Sequence, residues 1–261
     1  MAVFCISSWC GATPSGPHSR AKPRATSLPP REDVVRTLRG RRRVVTVVGL
    51  LCACAVAACN AIGAEAPVTL PDPIVDEPVA MSKGQPTAVF AAGCFWGIEA
   101  VFKHVKGVKS ATSGYSGGTA ATAHYDMVGT GRTGHAESVK VTYDRSQITY
   151  GQLLKVLFSV AHDPTELNRQ GPDEGTQYRS ALFVATADQK RIAEAYINQL
   201  NQAKAFKRPI VTEVISLTAF YEAEDYHQDY VANHPDSRYV MTFDLPKLDH
   251  LRKQFPDLYR R

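Results

Sequence analysis

Six cysteines are placed so unevenly that they decide how most of this chain can be held together. Cys5, Cys10, Cys52, Cys54 and Cys59 fall in the first 59 residues, and Cys94 alone falls in the remainder of the 261. One thiol closes no internal disulfide and supplies neither a CxxC zinc site nor a CxxC redox pair. The body must therefore rest on an ordinary apolar core. At about 170–200 residues it is long enough to build one as a single domain.

Charge divides at the same place. The chain carries 30 Lys and Arg against 25 Asp and Glu, a net +5. Residues 1–59 hold nine of the bases and two of the acids, so they contribute +7. The rest holds 21 bases and 23 acids and is −2. A nucleic-acid-binding body with a basic face is excluded on this balance.

Residues 1–43 are rich in Arg, Ser and Pro and show no sustained apolar period, the composition of a disordered leader. Arg39, Arg41, Arg42 and Arg43 precede the apolar run Val44–Ala58, 15 residues long. A bilayer span needs about 20. A basic region, a short apolar run and a small-residue exit describe a secretory signal. The exit Val56-Ala57-Ala58-Cys59 resembles a lipobox, whose Cys is lipidated and becomes the new N-terminus. The expectation is export to the periplasm, or membrane anchoring as a lipoprotein through Cys59. A twin-arginine signal at Arg41-Arg42-Arg43-Val44-Val45, an organellar transit peptide and a buried core helix are the competing readings. Residues 60–86 contain Pro67, Pro71, Pro73, Pro78 and Pro86 and read as an extended linker, with the folded domain, 87–261, starting near Thr87.

Thr87–Ala92 (TAVFAA) suits a buried strand. Phe95, Ile98, Val101, Phe102 and Val105 then recur at helical spacing, with Glu99 in the first turn and Gly107 as a stop. Cys94 thus sits at a strand-to-helix junction. Residues 113–134, rich in Gly, Ser and Thr, read mostly as loop. Glu137–Tyr143 alternates cleanly, and Ser180–Ala185 and Ile210–Leu217 also read as strands. Thr149-x-x-Gln152 and Thr186-x-x-Gln189 are capping boxes that open two helices. The alternation of strands and helices, with some antiparallel pairing, predicts an α+β fold with helices packed on one sheet.

Two motif matches lack their required context. Gly129-Thr130-Gly131-Arg132-Thr133-Gly134 fits GxGxxG, but a strand follows it where a dinucleotide site needs a helix. Gly114-Tyr115-Ser116-Gly117-Gly118 fits GxSxG, but the next ten residues lack helical amphipathicity.

Cys94 is the stronger candidate. A buried cysteine is more often a small hydrophobe than a nucleophile. Placement at a helix N-terminus shifts the balance, because unsatisfied N–H groups and the helix dipole favour thiolate. Glu137 shares the parity of Val139, Val141 and Tyr143 and so points to the apolar face if the strand reaches it. A desolvated carboxyl there has a raised pKa and can donate a proton near neutral pH. If the strand begins one residue later, Glu137 is solvated instead. Phe95 and Trp96 form either an apolar box or ordinary core. The polar segment Gln170–Tyr178 is a loop of the kind that carries sites. His135, His162 and Asp163 show no metal-ligand spacing, so no metal is expected.

Five motifs in order then resemble the peptide-methionine (S)-S-oxide reductases, the A-type methionine sulfoxide reductases. They are Gly93-Cys94-Phe95-Trp96-Gly97, Gly114-Tyr115-Ser116-Gly117-Gly118, Thr133-Gly134-His135-Ala136-Glu137, Gly175-Thr176-Gln177-Tyr178-Arg179-Ser180 and Tyr226-His227-Gln228-Asp229-Tyr230. The resemblance runs from about Thr87 to Pro235. It implies a ferredoxin-like mixed sheet and reduction of methionine-S-sulfoxide, protein-bound or free. By the same resemblance Cys94 is the nucleophile that becomes a sulfenic acid, and Glu137 the acid that protonates the sulfoxide oxygen. Tyr125 and Tyr178 are the phenols that hydrogen-bond that oxygen, Asp173 supports the polar network, and Phe95 and Trp96 seat the substrate methyl group.

One departure matters. Many members of that family resolve the sulfenic acid with cysteines near the C-terminus, and this chain has none after Cys94. The expectation is a one-cysteine enzyme without a bound cofactor, reduced by an external thiol such as thioredoxin or glutaredoxin. Survival of Cys59 as a resolving thiol is the alternative. A non-catalytic module that binds oxidised methionine, and a Cys-dependent acyl transferase using His135 or His162, are the readings from other classes.

Overall fold

Alternating side chains in Thr87–Ala92 divide between two faces of a sheet, and this division organises the molecule. In the computed structural model, which describes residues 68–79 and 85–261, that segment is strand β1. Ala88, Phe90 and Ala92 face the main core, while Val89 and Ala91 face a smaller apolar cluster on the other side. Helix α1 (Phe95–Lys103) follows, then β2 (Val108–Ser116), the short helix α2 (Tyr125–Val128) and β3 (Ala136–Tyr143). Helix α3 (Tyr150–Val156) runs into a π-helical turn at Leu157–Ala161. The two-residue strands β4 (Arg169–Gln170) and β5 (Asp173–Glu174) form a separate ribbon. Next come β6 (Ser180–Val184), α4 (Ala187–Gln202), β7 (Glu213–Ser216) and β8 (Phe220–Glu222). The chain ends with α5 (Tyr230–Asn233), a second π-helical turn (Val240–Asp244) and α6 (Leu245–Gln254).

The six-stranded sheet has the order β7-β6-β1-β3-β2-β8. Its central four strands, β6-β1-β3-β2, are antiparallel neighbours, and β6–β7 is the parallel pair. Helix α1 links β1 to β2 and α3 links β3 to β6, which is the ferredoxin-like arrangement expected. Phe102, Leu153, Leu154, Ile192, Tyr196 and Leu251 from four helices pack into the main core on one sheet face.

Several local expectations change. The strand β2 extends through residues 113–116, which composition reads as loop. Gly114 is needed there for close approach: a Cβ would stand 2.3 Å from the Tyr221 carbonyl oxygen on β8. Helix α1 ends at Lys103, before Gly107, because Val105 bridges to Tyr259 near the C-terminus. Glu99 is not a solvated dipole partner. It is buried, accepts from Ser113 Oγ (2.8 Å) and the Asp229 N–H (3.2 Å), and pairs with Lys103 at 2.7 Å. The Thr149–Gln152 capping box is complete. At Thr186 only one half forms, since Gln189 Oε1 accepts from the Ala185 N–H and its Nε2 donates to the Thr87 carbonyl.

The described part of the proline-rich stretch, residues 68–79, is extended but does not behave as a linker. Residues 68–79 lie along the domain, so the folded unit begins before Thr87. Leu70 enters the main core. The Pro71 carbonyl accepts from Tyr196 Oη at 2.9 Å, and Gln199 bonds both Asp72 and Ile74. Asp76 accepts from Thr149 Oγ1 (2.5 Å) and the Gly151 N–H (2.8 Å). Glu77 accepts from Tyr143 Oη and the Tyr150 N–H, each at 2.9 Å, and pairs with Arg145 at 2.6 Å. Two acids of this strap thus cap the N-terminus of α3, whose first N–H groups have no intrahelical acceptor. Cys59 and the expected signal and lipobox lie outside the described residues.

Candidate active site

The turn from β1 into α1 places Cys94 at the N-cap of the helix, 7% exposed. The next residue, Phe95, donates its backbone N–H to Glu137 Oε2 at 3.1 Å. Thiol and carboxyl therefore share one helix N-terminus, although they are 43 residues apart in sequence. Strand β3 begins at Ala136, so the parity argument holds: Glu137 points inward opposite Tyr115 and is 3% exposed. The solvated alternative for Glu137 is excluded.

Electrostatics at this pair correct one expectation. Burial pushes Glu137 up to about 8, against the pull of the Phe95 N–H. Burial also raises Cys94 well above the usual thiol range, and the nearby carboxyls of Glu137, Asp244 and Asp173 add to it. The Trp96 N–H works in the opposite direction and is outweighed. The helix N-terminus therefore does not make Cys94 a resting thiolate. The resting pair is thiol and neutral carboxylic acid, and each keeps its proton because a charge is poorly solvated there.

Around the pair stand phenols and aromatic rings. Tyr125 and Tyr178 are each shifted upward by burial and then by the field of Glu137, and Cys94 acts on both. Two anchors bring them to the thiol. The Tyr125 N–H donates to Glu224 Oε1 (2.9 Å), whose other oxygen accepts from Tyr115 Oη (2.8 Å). The turn holding Tyr178 is clamped to the glycine-rich loop by Thr176 Oγ1 on the Gly131 carbonyl (2.7 Å) and Arg179 on the Gly134 carbonyl (3.0 Å). Phe95 is fully buried, with its ring 5.9 Å from Tyr115 and 5.0 Å from His227. Trp96 is half-buried and stacks on Tyr230 at 3.6 Å. The two readings of these neighbours thus separate: Phe95 is floor and Trp96 is rim. Asp173, on β5, accepts from Tyr239 Oη, and its carboxyl acts on Cys94.

Three residues without an assigned role in the sequence complete the site. His227 Nδ1 accepts from Trp96 Nε1 (3.1 Å), and the buried ring leaves Nε2 without a partner. Tyr239 lies edge-on to Trp96, with ring centroids 5.8 Å apart. Asp244 is fully buried, 3.3 Å from Lys247 Nζ, with Oδ2 unpartnered. Gly97 makes room for it, since a Cβ there would stand 2.2 Å from Asp244 Oδ1. Nothing local in the sequence indicates that Asp244 fills this space.

The rejected matches are accounted for. Ser116 Oγ donates to the Ala219 carbonyl, and a strand follows the GxGxxG stretch. His135 is held between the Gly118 N–H (3.2 Å) and the Thr119 carbonyl (3.0 Å). His162 bonds Ser180 Oγ at 2.8 Å and is pushed down to about 4 by burial, so it stays neutral. Neither ring is arranged as a base for Cys94.

A family model described as peptide methionine sulfoxide reductase matches residues 86–258. A Synechocystis protein named peptide methionine sulfoxide reductase MsrA 2 is 55% identical over 190 residues, covering 72% of this chain and 89% of that protein. One of the same name from Mesorhizobium japonicum is 57% identical over 176 residues, covering 67% and 90%. Among solved structures, reduced Mxr1 from Saccharomyces cerevisiae aligns with a TM-score of 0.54 at 33% identity, over 60% of this chain and 91% of that one. Methionine sulfoxide reductase A of Corynebacterium diphtheriae aligns at 0.50 and 36% identity, over 66% and 87%. With its thiol and carboxyl on one helix N-terminus, this chain belongs to the A-type peptide methionine sulfoxide reductase family.

Proposed function

We propose that Cys94 and Glu137 carry the reduction of methionine-S-sulfoxide that this chain catalyses. The observation behind the assignment is the shared helix N-terminus, with Glu137 docked on the Phe95 N–H beside Cys94. Sulfoxide oxygen is a poor leaving group until protonated. Glu137, pushed up to about 8, holds a proton at neutral pH and gives it to that oxygen. The Cys94 thiol loses its proton as its sulfur attacks, and that proton refills Glu137. The methionine S–O bond breaks and a Cys94 S–O bond forms. Methionine sulfur is reduced by two electrons and Cys94 is oxidised by two, to sulfenic acid. Tyr125 and Tyr178 donate to the oxygen during transfer, Phe95 and Trp96 seat the S-methyl group, and Asp173 and Tyr239 hold the wall.

An external thiol of the thioredoxin or glutaredoxin class, or a smaller one, returns the sulfenic acid to thiol, since no cysteine follows Cys94. Delivery outside the cytoplasm, with or without lipid on Cys59, is part of the same proposal and rests on the basic and apolar leader.

Turnover of a methionine-S-sulfoxide peptide with dithiothreitol tests the roles. Cys94→Ser is expected to abolish turnover. Glu137→Gln should lower kcat by about 10²–10⁴, the usual weight of a positioned general acid. Full activity in Cys94→Ser would end the proposal.

A further inference from the structure

Helix α2 carries Tyr125 and is only four residues long. Its two ends are held differently. Val128 enters the main core, and Gln177 Nε2 donates to the Gly129 carbonyl just beyond it at 3.3 Å. At the other end the N-cap residue, His124, makes no side-chain bond. The first helical N–H, that of Tyr125, goes instead to Glu224 Oε1 at 2.9 Å, 99 residues further along the chain. Without that bond the N–H is an orphan, and nothing within the helix fixes where the phenol points.

Glu224 is itself firmly placed. It follows β8, which pairs with β2, and the Ala223 N–H donates to the Ser113 carbonyl at 3.0 Å. Glu224 Oε2 accepts from Tyr115 Oη at 2.8 Å, and its backbone carbonyl accepts from the His227 N–H at 2.9 Å. One residue thus ties down Tyr125 through its side chain and His227 through its backbone, and those two rings meet with centroids 4.4 Å apart. Burial pushes the Glu224 carboxyl up, but the Tyr125 N–H and the Tyr115 hydroxyl outweigh it and hold it below the usual range. The same contacts sort the phenols. Tyr115 stands opposite Glu137 in the β2–β3 register, yet its proton is committed to Glu224. The Tyr125 hydroxyl makes no hydrogen bond among the described residues and stays available.

We propose that Glu224 is a positioning residue for sulfoxide reduction: by gripping the Tyr125 N–H and the Tyr115 hydroxyl together, it aims the free Tyr125 phenol at the sulfoxide oxygen. The inference rests on Tyr125 as a donor to that oxygen and on Cys94 as the nucleophile. Glu224 acts through the backbone of Tyr125 and not on the reacting atoms. Its contribution therefore falls on the rate of oxygen transfer, the step in which charge develops where the phenol donates.

The test is a single turnover of the full chain with saturating methionine-S-sulfoxide peptide and no thiol, reading both rate and yield of methionine. Wild type should give one equivalent per chain, and none would defeat the Cys94 assignment itself. Tyr125→Phe should slow the step, and a wild-type rate there would remove the phenol's role and this proposal with it. Glu224→Ala should slow it by about 10–10²-fold at unchanged yield. Adding Glu224→Ala to Tyr125→Phe should cost at most about twofold more, because the aimed hydroxyl is already gone. Glu224→Gln can offer its carbonyl to the Tyr125 N–H and its amide to Tyr115 Oη, and should stay within about threefold of wild type. If Glu224→Ala does not fold, Glu224→Asp, one methylene too short to reach both partners, takes its place. A wild-type rate in Glu224→Ala would overturn the positioning role, as would losses that multiply in the double variant or a Gln variant as slow as Ala. So would equal slowing by Glu222→Ala on β8, an exposed side chain. A lower yield at wild-type rate would do the same, since it would report unfolded chains only.

Discussion

At the scale of single residues, the site is governed by how hard it is to place a charge beside Cys94. Glu137, Asp244 and Asp173 all raise the thiol, so ionising any of them works against a thiolate. Asp244→Asn removes one of these charges and also frees the Lys247 ammonium, which pushes in the same direction. The midpoint of Cys94 alkylation by iodoacetamide should therefore move to lower pH, and an unchanged midpoint would contradict the field attributed to Asp244. Glu137 sets the other limb. Its acid form is present below about 8 and lost above it, so single-turnover sulfoxide reduction should fall as pH rises through that value. In Glu137→Gln the residual reduction should lose that limb. Glu137 was legible in the sequence because strand parity is a local rule, and β3 obeys it from its second residue. The state of Cys94 was not, because its field comes from residues 43, 79 and 150 positions away, which only the fold brings together. The helix N-terminus gave the right position for the thiol and the wrong sign for its shift, since burial outweighs one N–H group.

At the scale of elements, the strap 68–79 and helix α3 stabilise one another. The strap supplies acceptors to the N–H groups of Tyr150 and Gly151, and Thr149 supplies one to Gln152. Glu77 matters most, because it also satisfies the buried Tyr143 hydroxyl and pairs with Arg145. Glu77→Ala should destabilise the domain by about 2–4 kcal/mol, the range for stripping buried donors of a charged acceptor. Asp76→Ala should cost about 1–2 kcal/mol as a lost cap. Urea unfolding at constant m-value checks both, and a Glu77→Ala midpoint equal to wild type would show that the strap is not structural. Prolines mark this stretch as extended, and that part was readable. Docking was not, since it depends on acids meeting a helix end more than 70 residues later. Strand β2 was hidden for a related reason. Its Gly and Ser residues carry little strand propensity, and its pairing with β3 and the close approach of β8 hold it in place.

At the scale of the whole molecule, the cysteine count bears on where the proposed chemistry draws its electrons. Residues 60–261 hold one thiol, so a sulfenic acid proposed at Cys94 meets no second cysteine in that stretch. The segment from His234 to Gln254, lying beyond the family's last quoted motif, is occupied instead by Tyr239, Asp244 and Lys247. Tyr239 bonds Asp173 of the site, Lys247 pairs with Asp244, and Asp244 acts on Cys94. An enzyme built this way should retain its sulfenic acid until reductant arrives. Treating the full chain with one equivalent of sulfoxide and no thiol, then measuring intact mass, should show the gain of one oxygen. Dimedone should label Cys94 in that state and no other residue. Loss of two hydrogens with a peptide linking Cys94 to Cys59 would instead show an internal resolving thiol, and the dependence on outside electrons would fail. The same measurement repeated in Asp244→Asn separates protection from chemistry. If burial preserves the sulfenic acid, its lifetime should shorten as the packed C-terminal segment loosens, while the yield of one methionine per chain stays the same.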